Sequence, residues 1–151
     1  YIQVGTLIHH GKLGVVRQSS LRKSPTNYPE PKIMNTLTNI LIGIIALQHI
    51  AFLVLEMFFW EKPIGRRVFG HSKEAAAASK TLAANQGLYN GFLAAGLIWG
   101  LSLGATGTSI KIFFLGCVLI AGVFGGMTAS RKILFVQALP AAIGLALMLL
   151  S

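Results

Sequence analysis

The sequence has little charge. Asp, Glu, Lys and Arg together make up 11% of its 151 residues, and only four of these side chains are acidic. A typical soluble domain is about one-quarter charged. Hydrophobic residues instead make up 54% of the chain, so most of the folded surface is expected to face lipid. This composition excludes an ordinary water-soluble domain and predicts an integral membrane protein.

Cysteine is nearly absent as well, since Cys117 is the only one. A single cysteine excludes an intrachain disulfide, and no spacing of His and Cys is typical of a metal site. The chain also lacks a glycine-rich phosphate loop and the Ser, His and Asp arrangement of a hydrolase. We therefore predict no cofactor and no metal, and we favour a protein that is not an enzyme.

What the chain does have is four apolar stretches close to the length of about 20 residues that a helix needs to cross a hydrocarbon core. They cover residues 36–59, 82–103, 110–129 and 133–150. Short connections force neighbouring helices to run antiparallel. The prediction is an all-α, four-helix transmembrane bundle with short antiparallel connections, formed by residues 34–151 within the lipid bilayer.

The net charge of +9 would favour a nucleic-acid partner in a soluble protein. Here the basic residues lie in short segments between apolar stretches, so we interpret them as a topology signal and predict no nucleic-acid partner. Seven of the eight Lys and Arg residues after Met34 fall in the first and third connections, and Lys111 is the exception. Both of these connections are therefore expected in the cytoplasm, with both ends of the bundle outside.

Residues 1–33 differ from the rest of the chain. They contain five basic residues, one acid and three prolines, without apolar periodicity. This composition predicts a disordered basic extension. Two explanations stay open, namely an organellar targeting segment and non-native upstream sequence placed before Met34. The first implies an organellar membrane, and the second implies the inner (plasma) membrane of a bacterium.

Glu56 is the one acid deep inside a predicted span, where a charged group costs about 2.5–3.5 kcal/mol on insertion scales. His49 lies two helical turns earlier on the same face. The two side chains are about 10 Å apart along the helix, so a water molecule or another helix must bridge them. Amides of the second span and Gln137 of the fourth are expected near the same depth. The predicted polar intramembrane pocket comprises His49, Glu56, Asn85, Gln86, Tyr89, Asn90 and Gln137.

Small residues recur at every fourth position, which predicts close helix packing. The main pairs are Gly87/Gly91, Gly96/Gly100, Gly122/Gly126 and Ala142/Ala146. Because the second span carries two such stripes, we expect it either to be central in the bundle or to use one stripe for contact with a second copy of the chain. Pro140 is expected to bend the fourth helix near Val136 and to free a carbonyl group there.

Several motifs occur together after Met34. They are His49, Glu56-Met57-Phe58, Trp60, Pro63, Asn85-Gln86-Gly87-Leu88-Tyr89-Asn90-Gly91 and Gln137-Ala138-Leu139-Pro140-Ala141. With these motifs, residues 34–151 resemble the small bacterial membrane proteins of the domain of unknown function 1304 family. The resemblance implies a four-helix membrane protein and no known activity, substrate or cofactor. Phe124 stands where the resemblance leads us to expect Tyr.

Three classes of function stay open. A proton-coupled carrier for a small solute, working as an oligomer, would use Glu56 as its protonation site and His49 as a second proton or cation group. A structural or assembly protein would use the same polar groups only as interhelical hydrogen bonds, each worth about 0.6 kcal/mol. A membrane enzyme acting on a lipid or quinone would need His49 and Glu56 as acid and base. We take the carrier, with an unidentified small-molecule ligand, as the working hypothesis.

Overall fold

The computed structural model describes residues 30–150. Most of the predicted basic extension, residues 1–29, and Ser151 therefore lie outside the described residues. Helix α1, Glu30–Phe58, begins before the domain boundary that the sequence predicts at residue 34.

The described chain is helical, with no β-strand between residues 30 and 150. Its five α-helices are α1 Glu30–Phe58, α2 Pro63–Phe69, α3 Lys73–Ser102, α4 Thr108–Thr128 and α5 Leu139–Leu150. A 3-10 turn, Gly104–Gly107, joins α3 to α4, and a π-helical turn, Leu134–Ala138, leads into α5. The all-α prediction is confirmed at this level.

The connection between α1 and α3 is more helical than the apolar pattern predicts. Pro63 opens α2, and Gly70, at a left-handed φ of 71°, closes it by donating its N–H to the carbonyl oxygen of Arg66, as proline and glycine commonly do at helix ends. Ser72 then caps α3, since its Oγ accepts a hydrogen bond of 3.1 Å from the N–H of Ala75. Because of this cap, α3 begins at Lys73, well before the span predicted from residue 82.

The four longer helices contact one another in a closed order, with α1 on α3, α3 on α4, α4 on α5 and α5 on α1. Neighbours run antiparallel. Gly87 lies against Met57, whereas Gly91, later in α3, lies against Leu53, earlier in α1. The buried core between the helices consists of Ile42, Ile45, Ala46, Leu97, Leu115, Val118 and Ala141.

Both glycine stripes of α3 are filled by helices of the same chain. A methyl group added at Gly87 would lie 2.7 Å from the Cγ of Met57 on α1, and one added at Gly96 would lie 2.2 Å from the ring of Phe114 on α4. Close approach without a side chain is what such stripes permit. Each stripe of α3 therefore packs on a different neighbour, and these glycines need no second copy of the chain to cover them. Helix α3 is not more central than the others, since each of the four longer helices packs mainly on two neighbours.

Within residues 30–150, two segments are long and apolar enough to cross a membrane, namely Ile33–Phe58 and Gly104–Thr128. The apolar segment Leu134–Leu150 is shorter than these two. Helix α3 has 30 residues, but the amides of Asn85, Gln86 and Asn90 lower its hydropathy. Membrane character is thus supported for two helices, and the four-span arrangement stays a prediction.

Candidate functional site

A buried chain of three polar side chains joins α1 to α3. The amide Nδ2 of Asn90 donates to Oε2 of Glu56 over 2.7 Å, and the carbonyl Oδ1 of Asn90 lies 2.7 Å from Nδ1 of His49. The exposed fractions are 0% for His49, 8% for Glu56 and 5% for Asn90. Asn90 therefore supplies the bridge that the His49 and Glu56 spacing requires.

The backbone of α3 comes close enough to α1 for this bridge because of Gly87. A methyl group at Gly87 would lie 3.2 Å from the Cβ of Glu56 and at the same distance from the carbonyl oxygen of Leu53. These are tighter than ordinary van der Waals contacts. Since Asn90 lies one helical turn after Gly87 on the same face, the short amide side chain reaches both partners on α1.

The hydrogen-bond roles along the chain follow from the carboxylate. An ionised Glu56 only accepts, so the NH₂ group of Asn90 must face it, and the carbonyl oxygen of Asn90 must face His49. That oxygen also only accepts, so the proton of a neutral imidazole lies on Nδ1. Nε2 of His49 then carries a lone pair, and this buried atom has no hydrogen-bond partner among residues 30–150.

Three predicted members of the pocket point elsewhere. The side chains of Asn85, Gln86 and Tyr89 are exposed, that of Tyr89 to 52%. The inward face of α3 is set by its helical period. Its buried positions include Ala83, Gly87, Asn90, Ala94 and Leu97. Positions 85, 86 and 89 lie off that stripe, so only one of the clustered amides contacts Glu56.

Gln137 forms part of a second polar contact, between α1, α4 and the π-helical turn before α5. Its Nε2 donates to the carbonyl oxygen of Val118 over 3.1 Å. Beside it, Nε2 of Gln48 donates to the carbonyl oxygen of Val136 over 2.8 Å. Val136 lies four residues before Pro140, which has no N–H to donate to it. The carbonyl group that the sequence predicts to be freed is thus bonded by a side chain from α1.

Lys111 is a buried polar residue, although the distribution of Lys and Arg along the sequence places it in the connection between the second and third predicted spans. It is 4% exposed, and its Nζ donates to Oδ1 of Asn39 over 3.2 Å and to the carbonyl oxygen of Gly104 over 3.1 Å. The signal for its burial is present in the sequence. Lys111 is in helical register with the buried positions Leu115, Val118, Gly122 and Gly126 of α4.

Within residues 30–150, no three His, Cys, Asp or Glu side chains lie close enough together to hold a metal ion. An open groove at the turn between α4 and α5 is lined by residues 126–131 and Leu134. None of the three bridged side chains lines it. The three linked side chains of His49, Asn90 and Glu56 can bind protons. The carboxyl group and the imidazole are joined through an amide that both donates and accepts hydrogen bonds.

The family model described as "Protein of unknown function (DUF1304)" matches residues 43–149. The chain is also similar to the "Uncharacterized protein YpaA" of Lactococcus lactis subsp. lactis (strain IL1403), with 32% identity over 106 residues, which is 69% of this chain and 89% of that protein. No solved structure matches the chain. His49, Glu56, Asn90 and Gln137 all lie within the matched residues. The chain therefore belongs to the DUF1304 family.

Proposed function

We propose that this protein is a multi-pass membrane protein in which α1, α3, α4 and α5 cross the bilayer as a four-helix bundle, and that it carries a small solute coupled to protonation of Glu56. The membrane part is supported by the two long apolar segments. It is also supported by large apolar side chains on the outer surface. Among these, Leu47 is 65% exposed, Phe113 64% and Ile120 72%.

The orientation in this proposal follows the basic residues. The antiparallel packing brings the α1 to α3 connection and the α4 to α5 turn to one end of the molecule, and these two segments contain seven of the eight Lys and Arg residues after Met34. Basic connections remain in the cytoplasm. The turn between α3 and α4 then lies outside.

The observation that carries the coupling proposal is the chain from His49 through Asn90 to Glu56. A carboxylate that is 8% exposed has lost most of its hydration, and an amide compensates it less than a cation would. Protonation removes that penalty and turns one carboxyl oxygen into a donor. The amide of Asn90 would then rotate so that its carbonyl oxygen accepts from Glu56 and its NH₂ group faces Nδ1 of His49, while the imidazole proton moves from Nδ1 to Nε2. Protonation of Glu56 thus changes the hydrogen bond of His49, which lies two turns away on the same helix.

A solute pathway in so small a bundle requires more than one copy of the chain. The interior is filled by packed side chains, so the proposed path lies between copies. Because both α3 stripes are filled internally, the contact between copies would use another small-residue surface, and the exposed Ala146 with Ala142 on α5 is the candidate.

A structural or assembly role is the second candidate. The contacts of Gln48 with Val136, Gln137 with Val118 and Lys111 with Asn39 favour it, because each joins two helices without a titrating acid. Such bonds stabilise membrane bundles by about 0.6 kcal/mol each.

A flux assay distinguishes the two functions. The purified chain is reconstituted into liposomes that contain a pH-sensitive dye, a potassium diffusion potential is imposed, and proton entry is followed with methylamine, alanine or lactate outside. The proposal predicts proton entry that one of these probes stimulates, and its loss in Glu56→Gln. Glu61→Gln is the matched control, since Glu61 is an exposed acid paired with Lys80.

Stimulated proton entry that persists in Glu56→Gln would contradict the assignment of Glu56. A folded wild-type protein that gives no proton entry above empty liposomes with any probe would favour the structural role instead.

A further inference from the structure

The segment from residue 61 to residue 80 carries more positive charge than its acids neutralise. Of the two acids, Glu61 is paired with Lys80, and Glu74 lies in the field of Arg66. Three exposed basic side chains have no ion pair among the described residues, and they are Lys62, Arg67 and Lys73. The turn between α4 and α5, at the same end of the molecule, adds the exposed Arg131 and Lys132. These five side chains are called the basic end below.

Helix α2 lies between Lys62 and Lys73 of the basic end, and one of its faces is apolar and exposed. Its inner side is held against the end of α1, because a methyl group at the buried Gly65 would lie 2.1 Å from the carbonyl oxygen of Phe59. On the outer side, Ile64 and Val68 lie one helical turn apart, and each is 54% exposed. Arg67 is exposed next to them.

Trp60 attaches this helix to α3. Its ring packs on Phe69 with centroids 4.8 Å apart, and its Nε1 donates to Oγ of Ser79 over 3.1 Å. Tryptophan is enriched at the level of lipid headgroups. The apolar face of α2, the exposed cations and this tryptophan therefore occur together on one short segment.

We propose that the basic end binds the headgroups of anionic phospholipids, with Ile64 and Val68 in contact with the upper part of their acyl chains. Near an anionic bilayer surface each Lys or Arg strengthens binding by about fivefold. The protein would thus gather acidic lipid around this end from a mixed bilayer. A phospholipid suits the surface better than a nucleic acid or an acidic peptide does, because it supplies phosphate and hydrocarbon side by side.

This inference rests on the membrane location in the proposed function and not on proton coupling. The test uses the two tryptophans as reporters at opposite ends of the helical bundle. Trp99, near the end of α3, is 56% exposed and lies one residue before Gly100, which packs on Lys111. In Trp99→Phe only Trp60 fluoresces, and in Trp60→Phe only Trp99 does.

Each variant is reconstituted into bilayers of equal parts phosphatidylglycerol and phosphatidylcholine, with bromine on the acyl chains of one lipid or of the other. Brominated chains quench a nearby tryptophan, so the ratio of the two quenching values reports which lipid surrounds it. We expect brominated phosphatidylglycerol to quench Trp60 at least about twofold more than brominated phosphatidylcholine does. The ratio at Trp99 should be close to unity.

In the Trp99→Phe background, Arg67→Gln combined with Lys62→Gln should bring the Trp60 ratio toward unity. Arg67→Lys combined with Lys62→Arg, which keeps both charges, should leave the ratio unchanged. Equal ratios at Trp60 and Trp99 in the parent variants would overturn the lipid proposal while leaving membrane insertion intact. Absence of quenching at both tryptophans would overturn the membrane location itself.

Discussion

The side-chain amide of Asn90 on α3 donates to the Oε2 atom of Glu56 on α1 over 2.7 Å. Because the other end of the same amide contacts His49, Asn90 connects two ionisable groups that lie seven residues apart on one helix and cannot reach each other. Asn90 is therefore the residue on which the hydrogen bonding between these two groups, and the proposed proton coupling, depend.

Replacing Asn90 with Leu keeps the branched shape of the side chain but removes both hydrogen bonds. Glu56 and His49 would then be buried without this partner, and an unsatisfied buried polar group costs about 1–3 kcal/mol. We expect the free energy of unfolding in mixed detergent micelles to fall by at least about 2 kcal/mol. Asn85→Leu is the matched control because Asn85 is exposed on the same helix, and its effect should stay within about 0.5 kcal/mol. An equal loss in both variants would show that the bridge adds no stability.

Helix α4 offers two glycines that differ only in what faces them. A methyl group at Gly122 would lie 2.7 Å from the backbone nitrogen of Ala138, whereas one at Gly116 would meet nothing within 4 Å. Alanine favours a helix over glycine by about 1 kcal/mol, so Gly116→Ala should raise the thermal midpoint. Gly122→Ala should lower it, since overpacking costs about 1–3 kcal/mol. Two variants that shift the midpoint in the same direction would contradict the close contact between α4 and the turn before α5.

The sequence predicts the helical class and the inner face of α3 better than it predicts the site. Hydrophobic length and the glycine stripes determine where helices run and which faces meet, and those features depend on local periodicity. The membership of a polar cluster depends on rotation about the helix axis. The run from Asn85 to Asn90 spans more than one full turn, so its amides point in different directions. Only Asn90 is in register with Gly87, which composition alone does not reveal.

Lys111 illustrates the opposite difficulty. A lysine near a turn is expected to be exposed to solvent and to act as a topology signal. In the structure the Nζ of Lys111 instead donates to the carbonyl oxygen of Gly104 and to the side chain of Asn39. Lys111 and Asn39 lie 72 residues apart in the sequence, so their contact depends on how α4 packs against α1. The sequence of α4 alone does not identify this acceptor.

The start of α3 is expected to loosen in acid. The backbone N–H of Glu74 itself and the Ser72 hydroxyl hold the pKa of the Glu74 carboxyl below its usual range, with a smaller contribution from the charge of Arg66. A depressed pKa means that the stabilisation is present above the ordinary carboxyl pKa and is lost as the pH falls through the lower folded-state value. Amide exchange at Ala75 and Ala76, corrected for the intrinsic rate, should therefore accelerate at acidic pH. Glu74→Gln should remove this extra pH dependence, and an unchanged profile in that variant would contradict the assignment.

The proposed orientation is tested by labelling from one side. In a Cys117→Ala background, Ser109→Cys and Ser130→Cys each add one thiol at an exposed position near a turn. An impermeant maleimide applied to the outside of intact bacterial cells should label the first variant and not the second, because the α4 to α5 turn with its basic residues is proposed to face the cytoplasm. The reverse labelling pattern would invert the proposed orientation.

The last prediction concerns the carbonyl group that Pro140 leaves without a backbone donor. Gln48 donates to the carbonyl oxygen of Val136 over 2.8 Å, and Pro140, four residues later, has no N–H for it. Gln48→Met should cost about 0.6–1 kcal/mol, the range between an interhelical hydrogen bond in a membrane bundle and a hydrogen bond in proteins generally. Pro140→Ala restores a backbone donor, so the same Gln48→Met change should cost less in that background. A double-mutant cycle of unfolding free energies should give a coupling of about 0.5–1 kcal/mol. If the two changes are additive, the side chain of Gln48 is not compensating for the proline, and the π-helical turn satisfies the carbonyl group of Val136 by itself.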